Sequence, residues 1–470
     1  MRLRTLLAVF GATALATSAM AAVFFDFGDF RENQLNAHSE QLYGINDPVA
    51  ASSTLSIDAV TADSDPTKLV TLAKGLSAHV LSSLPNLGPN IDQMALWPAG
   101  PNPTHIIACN EEGTAQPGLQ RVRLSDGLAE TIVTGTTSCD PVRRTAWGTI
   151  VFGEEGGTSG WMIELINPLG TTGVTFDRIA GTFSGGVGAA NLATLPALGR
   201  LSFEGLAIYP NGVVYYGDEN RPGGGNPGGA YFKFIPSTPR VGGGAISNLT
   251  QSPLVSGTVF GLRIGNRNPV DNGQGNNIGR GAWVNVNAGK ANLRAAASAA
   301  KLAAYYRPED IDIDSVAFAN GDVRFCGNNT GDENLDHNWG ETICITDGSL
   351  VNATANTAVP ELQYLVLGNS DFAMMDNIAY QPGRGNWIIH EDGDAPEFAV
   401  NPHNNDLWSC LDDGSDADGL SDGCVRIGTL NDLHAEWTGG FFDQTGTHFY
   451  VSVQHNVAGH GVILGITGWR

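Results

Sequence analysis

The chain has 470 residues, a formal net charge of −23 at neutral pH, 61 glycines and only 16% charged residues. So acidic a chain excludes nucleic acid and anionic membranes as electrostatic partners, because both need a basic footprint. Abundant glycine with sparse charge favours many turns between short strands over long helices.

The N-terminus, "MRLRTLLAVFGATALATSAMA", places Arg2 and Arg4 before an apolar run that ends in Ala19-x-Ala21. This is the grammar of a secretory signal peptide, residues 1–21, cut after Ala21. The run is too short to span a bilayer, and Leu3 separates the arginines, so a twin-arginine export signal is absent. The remaining residues, 22–470, are expected to form one domain: a secreted or periplasmic monomer without a membrane span. Six cysteines suit an oxidising compartment. Cys326–Cys344 and Cys410–Cys424 are natural local pairs; Cys109 and Cys139 either pair with each other or stay free.

One phrase then recurs along the chain: an acidic residue, a small apolar strand, a Pro- or Gly-containing turn, and an aromatic strand that ends in acid or amide. It runs through "IDQMALWPAGPNPTHIIACNEEG" from Ile91, a shortened "AWGTIVFGEE" from Ala146, and "FEGLAIYPNGVVYYGDENRPGG" from Phe203. It continues in "RPEDIDIDSVAFANGDVRFCGNNTG" from Arg307, "MDNIAYQPGRGNWIIHEDGDA" from Met375 and "WTGGFFDQTGTHFYVSVQHN" from Trp437. Unevenly spaced copies of a small antiparallel sheet predict an all-β, six-bladed β-propeller with loop insertions. "AGKANLRAAASAAKLAAYY", Ala288–Tyr306, predicts one inserted helix. "GGGNPGG" at 223–229 and the segment 266–281 read as surface loops.

In a propeller the starts of innermost strands face a shared channel. Glu204, Glu309, Asp376 and Glu436 open repeats; Glu154, Glu155, Asp218, Glu219, Asn328, Asn329, Glu391, Asp392 and His455 close second strands. Adjacent carboxylates such as Glu154-Glu155 are tolerated only in water or against a cation, and converging hard oxygen donors suit Ca²⁺ or Fe³⁺. Each residue taken singly also reads as a solvated turn acid; recurrence at equivalent positions favours metal. Separately, Asp416, Asp418 and Asp422, between Cys410 and Cys424, have the alternate-carboxylate spacing of a structural calcium loop.

These segments resemble the PhoX family of secreted alkaline phosphatases, formerly a domain of unknown function, from about Asp92 to Asn456. The resemblance rests on Cys139, "TAWGT" and Gly153-Glu154-Glu155, with "ACNEE", "FEGLAI", "YYGDENR", "YRPEDIDID", "GNN", "DNIAYQPGRGNWI" and "VSVQHN" in order. It implies hydrolysis of phosphate monoesters at an iron–calcium cluster in the channel. It further implies Cys139 as a thiolate ligand of iron; Glu155, Glu204 and Glu309 as shared carboxylate ligands; and Arg307, Asn328 and Asn329 as catalytic residues. Ala146 and Gly153 depart from the family's proline and second cysteine, and no arginine precedes Trp339, which leaves Arg143, Arg144, Arg221 or Arg307 to clamp phosphate. A Ca²⁺-dependent lactonase-like propeller hydrolase and a non-catalytic calcium-stabilised binding propeller are the competing readings.

Overall fold

Alternating apolar residues joined by short Pro/Gly turns fold each repeat into an antiparallel hairpin. The first strands are Ile91–Trp97, Cys139–Arg144, Phe203–Ile208, Pro308–Ile313, Met375–Tyr380 and Glu436–Phe442. Their partners are His105–Asn110, Ile150–Glu154, Val214–Asp218, Asp322–Asn329, Trp387–Glu391 and His448–Gln454. The computed structural model describes residues 27–264, 277–332, 338–393, 398, 400–414 and 418–470. The predicted signal peptide 1–21, Asp416 and most of the loop 266–281 lie outside them. Each first strand touches the next in chain order, and the last touches the first, so the six stand in a closed ring. The ring is locked by its ends: Ser77–Ser82 pairs with the C-terminal strand Ile463–Thr467 in the sheet of the last hairpin.

The fold is all-β and propeller-like, but the expectation of six separate blades is corrected by the hydrogen bonding. Four sheets of four to six strands stand apart, while the third and fourth hairpins share one nine-stranded sheet. The cause is strand Gly279–Asn285. It continues the sheet from Gly257–Ile264 and then pairs Gly279 with Leu362 and Arg280 with Glu361. Edges that would otherwise face solvent are satisfied by this bridge. The inserted helix is also shorter than predicted. A 3₁₀ turn, Asn287–Asn292, precedes an α-helix over Leu293–Ala300, whose N-cap Asn292 accepts from the Ala295 amide at 3.0 Å. Lys301 turns left-handed (φ 51°) and ends the helix. Leu302, Ala303 and Tyr305 then run extended in the core, where Ala303 and Tyr305 donate to the carbonyls of Leu262 and Gly229.

All six first strands carry an irregularity at one place. Register slips between Ile91 and Met94, Cys139 and Val142, Phe203 and Leu206, Pro308 and Ile311, Met375 and Ile378, and Thr438 and Phe441. Two residues oppose one on the partner strand, a β-bulge that re-aims a side chain and sharpens the local twist. The first bulge residue is acidic in five hairpins (Asp92, Asp140, Glu204, Glu309, Asp376) and glycine, Gly439, in the sixth. Gly439 has φ 64°, and a Cβ there would lie 2.1 Å from the Asp92 carbonyl oxygen. Gly439→Ala is therefore expected to lower the melting temperature sharply, where an exposed loop substitution would hardly move it. An unchanged thermal transition would contradict this packing of the first and last hairpins.

Three disulfides form. Cys326–Cys344 and Cys410–Cys424 bridge directly opposed residues of neighbouring strands, as the local pairing predicts. Cys109 and Cys139 pair with each other, joining two adjacent sheets.

Candidate functional site

The bulge acids converge at one end of the ring. Asp92, Glu204, Glu309 and Asp376, with Glu111, Glu155, Asp392 and Glu436, border a cavity of ≈ 480 Å³ that also receives Arg221, Arg307, His434 and His455, and Asp140 lies behind Glu155 and Glu204. Ligand oxygens of Asp140, Glu155 and Glu204 lie within 4.8 Å of one another; the same holds for Glu204, Glu309 and Asp376, and for Asp376, Asp392 and Glu436. Consecutive triads share Glu204 and Asp376, so three groups that could each hold a cation adjoin one another.

Strand alternation sorts the acidic pairs that close the second strands. In each pair one member faces away and finds a cation of the protein; the other faces the ring. Glu154 is fully buried, accepts from Arg178 Nε at 2.8 Å and from the Thr137 and Trp161 amides, and joins no seat. Asp218 is held by Arg294 through Nε (2.9 Å) and Nη2 (2.7 Å). Glu391 accepts from the Ala373 and Asp406 amides and lies 3.4 Å from His403 Nε2, outside the channel. Glu154 and Asp218 are thus turned from the channel, against expectation, while Glu155 and Asp392 border its cavity; Glu391 also leaves the channel but stands with His403 and Asp406 in a separate group whose ligand atoms lie within 4.8 Å of one another and could hold a metal ion. Glu219 accepts from Arg307 Nε at 2.7 Å beside the cavity. Glu155→Gln is expected to lower the number of cations held without loss of the fold; Glu154→Gln should leave cation content unchanged and reduce thermal stability, because Arg178 loses its buried partner. Metal analysis and thermal denaturation of both variants check the assignment, and equal effects on both would refute it.

Other expectations change. Cys139 is bonded to Cys109, so it offers no thiolate, and the donors of the three channel triads are all carboxylate oxygens. Asn328 donates to the backbone carbonyls of Asp376 and Asn377 and accepts from Thr342; Asn329 donates to Glu341 and accepts from Tyr231. Both are buried struts between strands, and neither lines the carboxylate cavity. Asp418 is exposed and caps the Leu420 amide at 2.8 Å, and among the described residues neither it nor Asp422 belongs to a cation seat; Asp416 lies outside them. Arg143 and Arg144 lie at the far end of the inner strands. Arg307 and Arg221 are the arginines at the carboxylate cavity. Arg307 is held by Glu219 and, at 3.2 Å, by Glu309; Arg221 pairs with Asp332 at 2.7 Å and keeps 42% of its side chain exposed.

Electrostatics fit a cation site. Burial, worsened by neighbouring carboxylates, raises Asp92, Glu155, Glu204, Asp376 and Glu436 well above the ordinary carboxylate range, and Asp140 and Glu309 to about 8. Asp392 is the exception: burial opposes its charge, but Glu436, Arg307 and His455 together hold it below that range. Eight carboxylates against two arginines around one space is an excess that multivalent cations would neutralise. Hard oxygen donors without sulfur match Ca²⁺ and Fe³⁺ and leave no thiolate for softer metals.

Sequence reasoning missed Asp92, Glu111 and Asp140. The signal was present: Ile-Asp-Gln (91–93), Cys-Asp-Pro (139–141), Phe-Glu-Gly (203–205), Pro-Glu-Asp (308–310) and Met-Asp-Asn (375–377) are one apolar–acid–x phrase. The second copy starts at Cys139, upstream of Ala146, where the shortened phrase opens.

A family model described as alkaline phosphatase PhoX matches residues 190–456. Among solved structures, PhoX of Pseudomonas fluorescens, in complex with vanadate as a transition state analogue, superposes with a TM-score of 0.61 at 16% identity, covering 89% of this chain and 98% of that one. This likeness shows a shared fold. A gluconolactonase of Xanthomonas campestris covers 89% of this chain and 96% of its own at 10% identity, with a TM-score of 0.40. No curated protein matches the chain.

Proposed function

The chain belongs to the alkaline phosphatase PhoX family, and we propose that it hydrolyses phosphate monoesters at the row of carboxylate triads inside the ring, outside the cytoplasm, with Ca²⁺ and Fe³⁺ as its ions. The observation that carries this reading is the sharing of Glu204 and Asp376 between consecutive triads. Shared carboxylates would hold two ions side by side, where both could act on one phosphoryl group. Bound cations would neutralise the phosphate oxygens and supply Lewis-acid activation for attack at phosphorus.

The chain's own residues position the ester. Arg307, kept in place by Glu219 and Glu309, points its guanidinium along the cavity wall and would hold a phosphate oxygen. Backbone geometry supports that role: Arg307 sits at φ 55°, a left-handed conformation costly for a side chain other than glycine and concentrated at functional sites. Arg221 offers a second, more exposed cation on the same wall. Asp140, Glu155, Glu204, Glu309, Asp376, Asp392 and Glu436 act as holders of ions. Three disulfides support an oxidising compartment, and among the described residues no helix is long and apolar enough to cross a membrane. One propeller domain after a cleaved leader, acting as a monomer, completes the proposal. Metal analysis of the purified mature protein, paired with hydrolysis of a chromogenic monoester before and after chelation, tests it. Calcium and iron should be found and turnover should depend on them; a chain without iron and without turnover under any metal supplement would overturn the reading.

A further inference from the structure

The opposite end of the ring has its own cavity. It measures ≈ 570 Å³ and is bordered by the far ends of inner strands, with Met94, Arg144, Tyr380, Phe441 and Tyr450 on its walls. Phe441 and Tyr450 stack with ring centroids 5.1 Å apart. Arg143 closes it off from the carboxylate seats: it bonds Asp310 at 2.5 Å and the Gln93 side chain, and Gln93 in turn donates to Glu204 at 3.3 Å.

Arg144, like Arg200 and Arg384, meets no side-chain carboxylate among the described residues, and it alone of the three lies on this cavity wall. In this acidic chain Arg178, Arg221, Arg294, Arg307, Arg324 and Arg426 each meet a carboxylate. Arg144 instead makes one bond, from Nη1 to the Leu96 carbonyl at 3.0 Å, and has no carboxylate partner among the described residues. Burial opposes its charge and no acid offsets that. The two acids at this cavity are turned to other groups: Asp312 accepts from the Tyr380 and Ile313 amides at 2.8 Å, and Asp443 from Thr445.

We propose that this cavity is a binding site for a small aromatic carboxylate. Its carboxylate would take the unused N–H donors of Arg144, the planar fork that matches two oxygens. Its ring would lie against the Phe441–Tyr450 stack, where offset or edge contacts add to burial. The volume falls within the usual range for small-molecule pockets, about 300–1,000 Å³. A single charge is specified, because a phosphate dianion would face one free arginine and two bordering acids.

Isothermal titration of the metal-loaded mature protein with phenylacetate, 2-phenylethanol and acetate tests this. Phenylacetate should bind saturably at one site, with the other two about tenfold or more weaker, since one lacks the charge-assisted bonds and the other the ring. Arg144→Gln should erase the preference for phenylacetate over 2-phenylethanol while monoester hydrolysis persists; Phe441→Ala should weaken both ligands. If Arg144→Gln does not fold, Arg144→Lys should retain a reduced preference. Absence of saturable binding, equal affinity for acid and alcohol, or an undiminished preference in the Arg144 variant would overturn the proposal. The binding readings do not depend on the phosphatase assignment; only the persistence of hydrolysis does.

Discussion

Glu204→Gln is expected to abolish phosphatase activity and, in the metal-free protein, to raise the melting temperature. The residue belongs to two of the three triads, so its loss empties or distorts two seats at once. A fall in kcat/KM of about 10³-fold or more, roughly 4 kcal/mol of transition-state stabilisation, is the scale of losing a preorganised electrostatic element. The stability effect has the opposite sign. Glu204 is 4% exposed, next to Asp140 and within a shared seat with Glu309 and Asp376. Without cations these groups repel, and burial alone already disfavours the charge. An amide of the same shape removes a charge and still offers an oxygen to Gln93, the donor at 3.3 Å. Calorimetry in chelator and in calcium separates the terms: the variant should melt above wild type in the first and gain less than wild type from the second. A variant less stable than wild type in both media would show Glu204 to be an ordinary structural carboxylate.

How far the sequence revealed this site depends on which periodicity one reads. The repeated hairpins were legible because aromatic strands and Pro/Gly turns report directly on local structure: the Tyr209–Val213 turn closes with its amide–carbonyl bond at 2.9 Å, and Gly212 takes φ 92°. Convergence of Glu204, Glu309 and Asp376 followed from their equivalent places, whereas Glu436 reaches the same cavity from the start of its strand, three residues before the bulge glycine Gly439. The acidic pairs were ambiguous, because strand alternation sends one member outward, and only the cation waiting there (Arg178 for Glu154, Arg294 for Asp218, His403 for Glu391) reveals which. Those partners are remote in the chain or lie on inserted elements, Arg294 on the helix, and no local pattern announces them. The fusion of two sheets was illegible for a similar reason: Gly279 and Arg280 meet Leu362 and Glu361 across some eighty residues of chain. The disulfide between Cys109 and Cys139 could be stated only as one of two options, since it depends on two adjacent sheets bringing together strand ends thirty residues apart.

Metal-free protein is expected to lose stability steadily as pH rises between about 4 and 8, and added calcium is expected to restore progressively more of it over that interval. Asp140 and Glu309 carry the argument. Burial, the largest influence on both, raises them to about 8, against ordinary values of about 4. At low pH both states of the chain hold these protons and the folded state suffers no charge repulsion. Above the ordinary values the unfolded chain releases them and the folded one does not, so each further unit of pH favours unfolding by about 1.4 kcal/mol per such group. The loss ends once pH passes the raised folded values and both states are ionised. Asp406, raised to about 7, acts in the same direction, and His403, raised to about 9 by its contact with Glu391 against the effect of burial, extends the decline upward; Asp392, held low, makes its contribution below about pH 4 and adds no slope in this interval. Cations reverse the balance because they need the same oxygens without protons. The calcium-dependent rise in melting temperature should therefore be small near pH 5 and large near pH 9, with protons released on binding at intermediate pH, about one per raised carboxylate engaged. Thermal scans across this range with and without calcium, and titration of the released protons in weak buffer, give both quantities. A metal-free melting temperature that is flat or rising from pH 5 to 9 would mean that the carboxylates already stand ionised and hydrated without ions, and the seats would have no reason to hold them.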